Sequence, residues 1–379
     1  MADRGARTAT ASAGLPVSAL LSQLLVALTI EVDNEFEHHM RHRTSNHGAS
    51  GRGPWLTSFA MWGNFLRFVG PDGITVDELA ARPGVETWAL PGMMRWGYVT
   101  VEGGTGAWRG KQPPRDATVR LRSGGRRAAA VWSGLSEPVE RRWRKRFGGE
   151  QIDALRDALA HLAGHAEREL PRYLIDGRYE MRVALGPAGD TDGRRTGQSA
   201  PAAELDLPAL LSQTLLLYAA DYDARASRGI ALGANALRVM SADPIRLRDL
   251  APRVGLARET MDVIVGRMAR WGLAAIDGEP TASRGKVARL TDEGIRARAE
   301  YLPTTEAVEF EWSARYGELV VGRLRTALIA VVGEPEDGRS PLWAGLEPYS
   351  DGWRASVAPP ECLPHYPVVT HRGGYPDGS

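Results

Sequence analysis

Acidic and histidine residues near the N-terminus have a spacing that could ligate a metal ion. Glu35, His38, His39 and His42 lie three or four residues apart within 31–47, which reads EVDNEFEHHMRHRTSNH. Side chains with these spacings share one face of an α-helix, and carboxylate and imidazole groups are zinc ligands. The pattern supplies two or three ligands and no obvious fourth. We therefore interpret it as a solvated helix end, keep Glu35, His38 and His42 as weak metal candidates, and predict no cofactor.

Other catalytic signatures are missing from the sequence, which has no phosphate-cradling glycine loop, nucleophile elbow or dinucleotide fingerprint. Cys362 is the only cysteine, so neither an intrachain disulfide nor a cysteine zinc cluster can form. The first residues contain no apolar stretch typical of a secretory signal, and the longest apolar run, 19–30, is short for a membrane span. These features favour a cytoplasmic protein without a membrane segment, and a non-enzyme over an enzyme.

Aromatic residues are concentrated in one predicted helix of the first third of the chain. They are Trp55, Phe59, Trp62, Phe65 and Phe68. An aromatic face at helical spacing is usually core packing, and we favour that interpretation. The alternative is a ligand pocket in which Trp62 is a stacking wall, with Phe59 and Phe65 beside it.

One sequence pattern occurs twice, in the same order. The matched pairs are LLSQLLVALTIEVD (20–33) with LLSQTLLLYAADYD (210–223), MMRWGYVTV (93–101) with MARWGLAAI (268–276), VERRWRKRFG (139–148) with VEFEWSARYG (308–317), and LPRY (170–173) with LPHY (363–366). Ordered matches over about 150 residues predict an internal duplication.

Each copy is predicted to have long helices that frame a helix-turn-helix and a β-hairpin, the element order of a winged helix-turn-helix. We therefore predict a mainly α fold with small β-wings (α+β), made of two winged helix-turn-helix repeats and a helical region that resembles a dimer body. The predicted segments are the first repeat at 15–185, a flexible Gly- and Pro-rich linker at 186–204, the second repeat at 205–333, and an aromatic, Pro- and Gly-rich C-terminal strap at 334–379. The strap either covers a seam between the copies, which we favour, or closes as a lid over a pocket.

Two pairs of polar residues match across the copies. Asn64 aligns with Asn235, and Asp33 aligns with Asp223. Either these side chains contact a ligand, or they brace local backbone groups and turns. Both interpretations stay open at this point.

The second copy resembles the MarR (multiple antibiotic resistance regulator) family. The resemblance is carried by IRLRDLAPRVGLARETMDVIVGRMARWGL (245–273) and RGKVARLTDEGIRARA (284–299), and above all by LTDEG at 290–294. It implies that two fused copies form a single-chain pseudo-dimer that binds duplex DNA. It also implies a small, aromatic effector where the second helix meets the dimer body.

The resemblance also implies which residues of the second copy contact DNA. The recognition helix is expected to begin near Ala257, with Arg258 and Thr260 on bases or phosphates and Arg267 on the backbone. Arg284 matches the wing arginine that enters the minor groove, and Lys286 is expected to hold a phosphate beside it. The acidic residues Glu259 and Asp262 oppose this function because they repel phosphates.

The first copy departs further from the family pattern. Its segment from Gly84 to Arg95 is four residues shorter than the matching segment of the second copy, and Pro91 lies within it, where it is expected to disrupt a helix. The longer wing still carries Arg109 and Lys111, which are expected to grip phosphates. The first copy is therefore predicted to contact DNA bases poorly.

Three functions are compatible with these features. The first is a MarR-type transcriptional regulator, acting as a monomeric pseudo-dimer or as a further homodimer. The second is a winged-helix scaffold reused to bind a small molecule or to catalyse a reaction on it, without sequence-specific DNA binding. The third is a protein–protein adaptor.

Overall fold

The computed structural model describes residues 14–40, 58–85, 87–105, 108, 113–167, 169–174, 201–278, 285–333, 340–356 and 362–368. Within these ranges the chain is mostly helical and contains two small antiparallel sheets. The predicted mainly α class with small β elements is therefore confirmed. Arg109, Lys111, Arg284 and His42 lie outside the described residues.

The helices fall into two groups along the chain. The first group comprises α1 (Val17–His39), α2 (Phe59–Asn64), α3 (Val76–Ala80), α4 (Leu90–Arg95), α5 (Ser123–Trp132), α6 (Ser136–Phe147) and α7 (Gly149–Ala163). The second group comprises α8 (Leu207–Asp223), α9 (Ile230–Leu232), α10 (Leu247–Val254), α11 (Arg258–Arg270), α12 (Asp292–Tyr316) and α13 (Glu318–Val332). A π-helical turn, Gly233–Leu237, continues α9.

Four helices form the central body of the molecule. In it α1 packs against α8 and α13, and α7 packs against α13 and α8. All residues of α1 from Val17 to Glu37 are buried except Gln23, which explains why the first part of this helix is apolar on more than one face. Among the described residues α1 is the one helix long and apolar enough to cross a membrane, and 94% of its apolar window is buried inside the protein. That burial accounts for its composition as a core helix.

The strands form two three-stranded sheets. The strands are β1 (Ile74–Thr75), β2 (Val99–Glu102), β3 (Thr118–Leu121), β4 (Ile245–Arg246), β5 (Ala274–Gly278) and β6 (Lys286–Leu290). The sheet orders are β1-β3-β2 and β4-β6-β5, all antiparallel, with Val99 opposite Leu121 in one and Ala274 opposite Leu290 in the other. Each hairpin follows a helix pair, α3–α4 or α10–α11, in the order expected of a winged helix-turn-helix.

Two glycines hold the hairpins against the helices that follow them. A Cβ on Gly125 would lie 2.1 Å from the carbonyl oxygen of Tyr98, and one on Gly294 would lie 2.0 Å from that of Leu273. No other residue fits at such a contact, because real Cβ atoms do not approach a carbonyl oxygen this closely.

Pro91 does not disrupt a helix in the first winged-helix copy as expected. Helix α4 has six residues whereas α11 has thirteen, so the predicted shortening is present. Pro91, however, lies in the first turn of α4 instead of in a helix interior. A proline there loses no intrahelical hydrogen bond, and its fixed φ favours the start of a helix. The residue begins the short helix and does not break a longer one.

Candidate nucleic-acid interface and adjoining cleft

Helix α11 has one exposed face, and only some of the predicted DNA contacts lie on it. Arg258, Glu259, Asp262 and Val263 are exposed on this face. Thr260 is only 2% exposed and belongs to the buried side of the helix. The expectation that Thr260 contacts DNA is therefore wrong, because its side chain faces the core.

The exposed face of α11 carries acidic and basic side chains in equal number. Glu259 and Asp262 share it with Arg258, near the positive end of the helix dipole. Arg267 is half-buried in the last turns of the helix. Arg270 is exposed at the end of the helix. The face therefore offers two exposed arginines, and its two carboxylates oppose a phosphate backbone.

Of the predicted basic wing contacts, Lys286 lies within the described residues. Lys286 is exposed at the start of β6, opposite Gly278. In the first wing, Thr105 donates to Asp116 from its amide and its hydroxyl, at 2.8 and 2.7 Å. Trp108 is 43% exposed there. The wing arginine Arg284 and the first-wing pair Arg109 and Lys111 stay sequence predictions.

An open cleft of about 600 Å³ lies beside α2. Its lining comes from α2, α5, α6, α7 and two adjoining segments: Trp62, Trp132, Ser133, Ser136, Glu137, Glu140, Arg141, Arg144, Arg156, Arg172, Glu204, Leu205 and Asp206. Trp62 is half-buried at this cleft, whereas Phe59 and Phe65 are 6% and 3% exposed and belong to the core. Of the three predicted aromatic ligand contacts, Trp62 alone lines the cleft.

Some charged side chains of the cleft already have hydrogen-bond partners within it. Arg156 donates to Glu140 at 2.9 Å, and Ser136 donates to Asp206 at 2.9 Å. Behind the cleft, burial and the nearby Arg172 lower the pKa of Arg67 to about 10. Burial is the larger cause of this lowering. The cleft lining itself carries four arginines and four carboxylates, so its charges are balanced.

The matched asparagines each bind the backbone of a distant tyrosine. Asn64 donates from Nδ2 to the Tyr173 carbonyl and accepts from the Tyr173 amide, both at 2.9 Å. Asn235 makes the same pair of bonds with Tyr366, at 2.8 and 3.3 Å. Both side chains are buried, and these contacts are those of the backbone-bracing interpretation.

The matched aspartates each cap the helix that follows. The amide of Phe59 donates to Asp33 at 3.1 Å, and the amide of Ile230 donates to Asp223 at 2.8 Å. Asp33 is also paired with Arg354 at 3.1 Å. Burial raises the pKa of Asp33 to about 7, more than Arg354 lowers it. These contacts are again structural, as in the second interpretation of the pair.

The candidate metal residues near the end of α1 are occupied by other contacts. Glu35 accepts from the Tyr349 hydroxyl and from Arg142, both at 2.8 Å. His38 stacks on Tyr349 with ring centroids 3.9 Å apart. Within the described part of the chain no group of three or more His, Cys, Asp or Glu residues could hold a metal.

A C-terminal segment is hydrogen-bonded to the acidic end of α1. It comprises the 3-10 turns Pro341–Gly345 and Trp353–Ser356 and the residues between them. Asn34 donates to the Leu346 carbonyl at 3.3 Å, and the Arg354 amide donates to Glu37 at 3.3 Å. The sequence analysis did not predict these contacts. The run of carboxylates in a helix that is otherwise apolar could have indicated them.

Two arginines each connect a helix of one group to the segment that precedes the first helix of the other group. Arg156 of α7 donates to the carbonyl of Leu205, just before α8, at 2.9 Å. Arg325 of α13 donates to the carbonyl of Leu15, just before α1, at 3.0 Å. The match of 139–148 with 308–317, extended without a gap, aligns Arg156 with Arg325. It does not reveal that each arginine binds the segment just before the first helix of the other group.

Two tryptophans bind carboxylates of these first helices. Trp143 donates to Glu31 at 2.9 Å, and Trp312 donates to Asp221 at 2.8 Å. Both tryptophans are almost fully buried, so each hydrogen bond satisfies an indole N–H that would otherwise be costly to bury.

No family model matches the chain, and no curated protein matches it significantly. A match among solved structures is the crystal structure of a MarR family transcriptional regulator from Streptomyces coelicolor in complex with DNA. The alignment covers 33% of this chain and 84% of that chain, at 21% sequence identity and a TM-score of 0.22. A similarity of this size does not establish a family or a shared function.

Proposed function

We propose that the chain is a single-chain pseudo-dimer of two winged-helix units and acts as a DNA-binding transcriptional regulator of the MarR type. The paired asparagine contacts are the main support. Asn64 with Tyr173 and Asn235 with Tyr366 make the same two bonds at positions that the sequence comparison equates. Independent elements would not be expected to repeat a two-bond contact between such distant segments.

The crossed contacts support the pseudo-dimer arrangement. Arg156 and Arg325 occupy aligned positions and bind the aligned carbonyls of Leu205 and Leu15. In a symmetric dimer each subunit makes the same contact with its partner, and these two bonds have that reciprocal form. We keep the proposed units at 15–185 and 205–333, joined by the linker 186–204 and followed by the strap 334–379.

Duplex DNA is the proposed partner of the second copy. Support comes from the length of α11, from its exposed Arg258, and from Lys286 on the adjoining hairpin. Arg267 is proposed to stabilise the backbone contact, and Arg284, Arg109 and Lys111 are proposed to add wing contacts on sequence grounds. We place this activity in the cytoplasm.

A salt-dependent mobility shift with duplex DNA tests this function. Binding is expected to weaken steeply with salt, and Arg258→Ala is expected to reduce the slope of log K against log salt by about 1. Arg323→Ala, an exposed arginine of the body helix α13, is the control and should leave binding unchanged. Failure of the wild-type chain to bind duplex DNA at low salt rejects DNA binding.

A small aromatic anion is the proposed effector, and the cleft beside α2 is its proposed site. Trp62 offers a ring for stacking, and Arg144 and Arg172 line the same cleft. Stacking on Trp62 favours an aromatic compound. Arg144 and Arg172 lie 3.5 and 4.0 Å from Glu140 and Asp206, and we propose that a ligand carboxylate replaces these partners. The buried residues Asn64, Phe59, Phe65 and Asp33 are proposed to support the wall behind Trp62, since their own contacts lie in the core.

The second candidate function is a small-molecule-binding scaffold without DNA recognition. It is favoured by the two carboxylates, Glu259 and Asp262, on the exposed face of α11, and by the six-residue α4 of the first copy. Ligand binding in the cleft without any affinity for duplex DNA would select this candidate. We assign no catalytic residues to the cleft.

A further inference from the structure

Helix α12 exposes a stripe of large apolar side chains. Ile295, Leu302 and Phe310 are 40%, 56% and 75% exposed. Their spacings of seven and eight residues are close to two helical turns each, so the three side chains lie along one face, about 10 to 12 Å apart. Leu319 is 77% exposed at the start of α13, just beyond the end of α12. Large apolar side chains grouped in this way are typical of a surface that binds another protein.

The fold itself does not require this apolar face. Gly125 and Gly294 make equivalent close contacts, and Trp143 and Trp312 make equivalent hydrogen bonds. Each glycine lies eighteen residues before its tryptophan, so the segments between them correspond one to one.

The corresponding positions of the first unit are polar. Ile295, Leu302, Phe310 and Leu319 correspond to Arg126, Ser133, Arg141 and Glu150. This correspondence rests on the proposed pseudo-dimer. The first unit therefore provides an internal comparison, in which the aligned positions carry exposed polar side chains, although Ser133 lies in the break between α5 and α6.

The charges along the stripe are arranged to complement a second, antiparallel copy of the same helix. Arg298 and Glu306 are both exposed, and each lies four residues from Leu302, on opposite sides. A twofold axis at Leu302 would bring Arg298 of one copy against Glu306 of the other. The same axis would place Ile295 against Phe310, because these residues lie seven and eight positions from Leu302.

We propose that this face of α12 is an isologous interface with a second copy of the chain. In it α12 packs antiparallel on its counterpart, with Leu302 at the centre, Ile295 against Phe310, and the Arg298–Glu306 pair at the rim. An isologous contact needs a patch that complements itself, and the order of charges and apolar groups along α12 meets that need. A stable interface buries about 1,000 Å² or more in total, so the surface around Leu319 is expected to join it.

Sedimentation equilibrium of the full chain, without DNA or ligand, tests the proposal. The wild-type chain is expected to approach twice its 41.1 kDa mass as concentration rises. Ile295→Glu or Phe310→Glu is expected to hold the chain at the single-chain mass, because the interface would then bury unpaired charge. Arg126→Glu, at the position corresponding to Ile295, is the control and should leave the mass as in the wild type.

A charge exchange distinguishes this interface from a general loss of folding. Arg298→Glu is expected to weaken association at least tenfold, and adding Glu306→Arg in the same chain is expected to restore it. Both positions are exposed, so the variants should unfold at the wild-type temperature. A wild-type chain that stays at the single-chain mass, or a dimer unaffected by Phe310→Glu and by the charge exchange, overturns the proposal. Because no DNA is present, the outcome is separate from that of the mobility shift.

Discussion

Asp33 and Arg354 form an ion pair, 3.1 Å apart, in which the two side chains are 0% and 2% exposed. The pair joins the end of α1 to a segment more than 300 residues later, and the second carboxylate oxygen of Asp33 caps α2 through the Phe59 amide. One buried carboxylate therefore connects three elements. Its protonation is expected to influence the stability of all of them.

The stability contributed by Asp33 should fall as the pH rises from about 4 to about 7. Burial raises its pKa from 3.8 in the unfolded chain to about 7, so the folded chain binds more protons than the unfolded chain between these values. The contribution is complete below pH 3.8 and is lost as the pH rises to 7. Asp33→Asn cannot ionise, so its free energy of unfolding should improve relative to the wild type over this interval, as measured by urea denaturation.

The control for this pH dependence is the exposed Asp249→Asn. Its difference from the wild type should stay constant over the same interval. A constant difference between Asp33→Asn and the wild type from pH 4.5 to pH 7.5 would show that Asp33 is not responsible for the pH dependence.

Asn64→Ala and Asn235→Ala should each destabilise the protein strongly. Each change leaves a buried backbone amide and carbonyl of Tyr173 or Tyr366 without their partner, at about 1–3 kcal/mol per group. Asn64→Asp in its protonated form keeps both an acceptor oxygen and an O–H donor, so at acidic pH it should cost less than Asn64→Ala. Hydrogen exchange of the Tyr173 and Tyr366 amides should accelerate in the alanine variants. Unchanged exchange at both amides would contradict the bracing role.

Gly294→Ala and Gly266→Ala should have opposite effects on stability. A Cβ at Gly294 would lie 2.0 Å from the Leu273 carbonyl oxygen, so β5 and α12 would have to separate. A Cβ at Gly266, in the middle of α11, meets nothing within 4 Å. Alanine there should raise the free energy of unfolding by roughly 1 kcal/mol, because it reduces the entropy of the unfolded helix segment. Thermal denaturation measures both, and equal signs would refute the close contact.

Trp62→Ala should abolish the thermal stabilisation produced by an aromatic carboxylate such as benzoate or salicylate. A ligand that binds only the folded state raises the melting temperature, and Trp62 is the aromatic residue of α2 at the cleft. Trp343→Ala, in the C-terminal segment outside the cleft, is the matched control and should keep the shift. A shift that survives in Trp62→Ala would place the ligand elsewhere.

Neutralising the acidic face of α11 should strengthen binding to duplex DNA. Glu259→Gln with Asp262→Asn removes two negative charges that face outward beside Arg258. Affinity for random duplex in a low-salt mobility shift should rise at least tenfold. The matched change at Glu318 of α13 and Glu293 of α12, both exposed, should have little effect. No gain from the first pair would indicate that this face of α11 does not approach DNA.

The order of helices and strands could be predicted from the sequence more accurately than the contacts between them. Amphipathic periodicity and the ends of helices are local properties, so the helix pairs and hairpins were predictable from windows of the sequence. The predicted start of α11 near Ala257 agrees with its N-cap. Thr260 was nevertheless assigned to the wrong face, because a polar residue in the first turn does not indicate by its type that it faces the core.

The partners of the matched polar residues could not be predicted, although the residues themselves could be found. Asn235 and Tyr366 both have matches in the first part of the sequence, but no local signal connects residues 131 positions apart. The ion pair between Asp33 and Arg354 is harder still, because Arg354 has no matched counterpart to suggest a role. Contacts of this kind depend on how the chain closes in three dimensions.

The crossed contacts of the body determine when, during synthesis, the first helix can be covered. The amide of Val17 and the carbonyl of Leu15 bind Glu309 and Arg325, which are 292 and 310 positions later in the chain. Helix α1 is buried almost throughout and is apolar in its first part, and its main packing partners are α8 and α13. A ribosome must therefore translate most of the chain while this helix is still without its final neighbours. We expect the nascent chain to engage a holding chaperone until α13 emerges, so the rate of late translation should affect the yield of soluble protein.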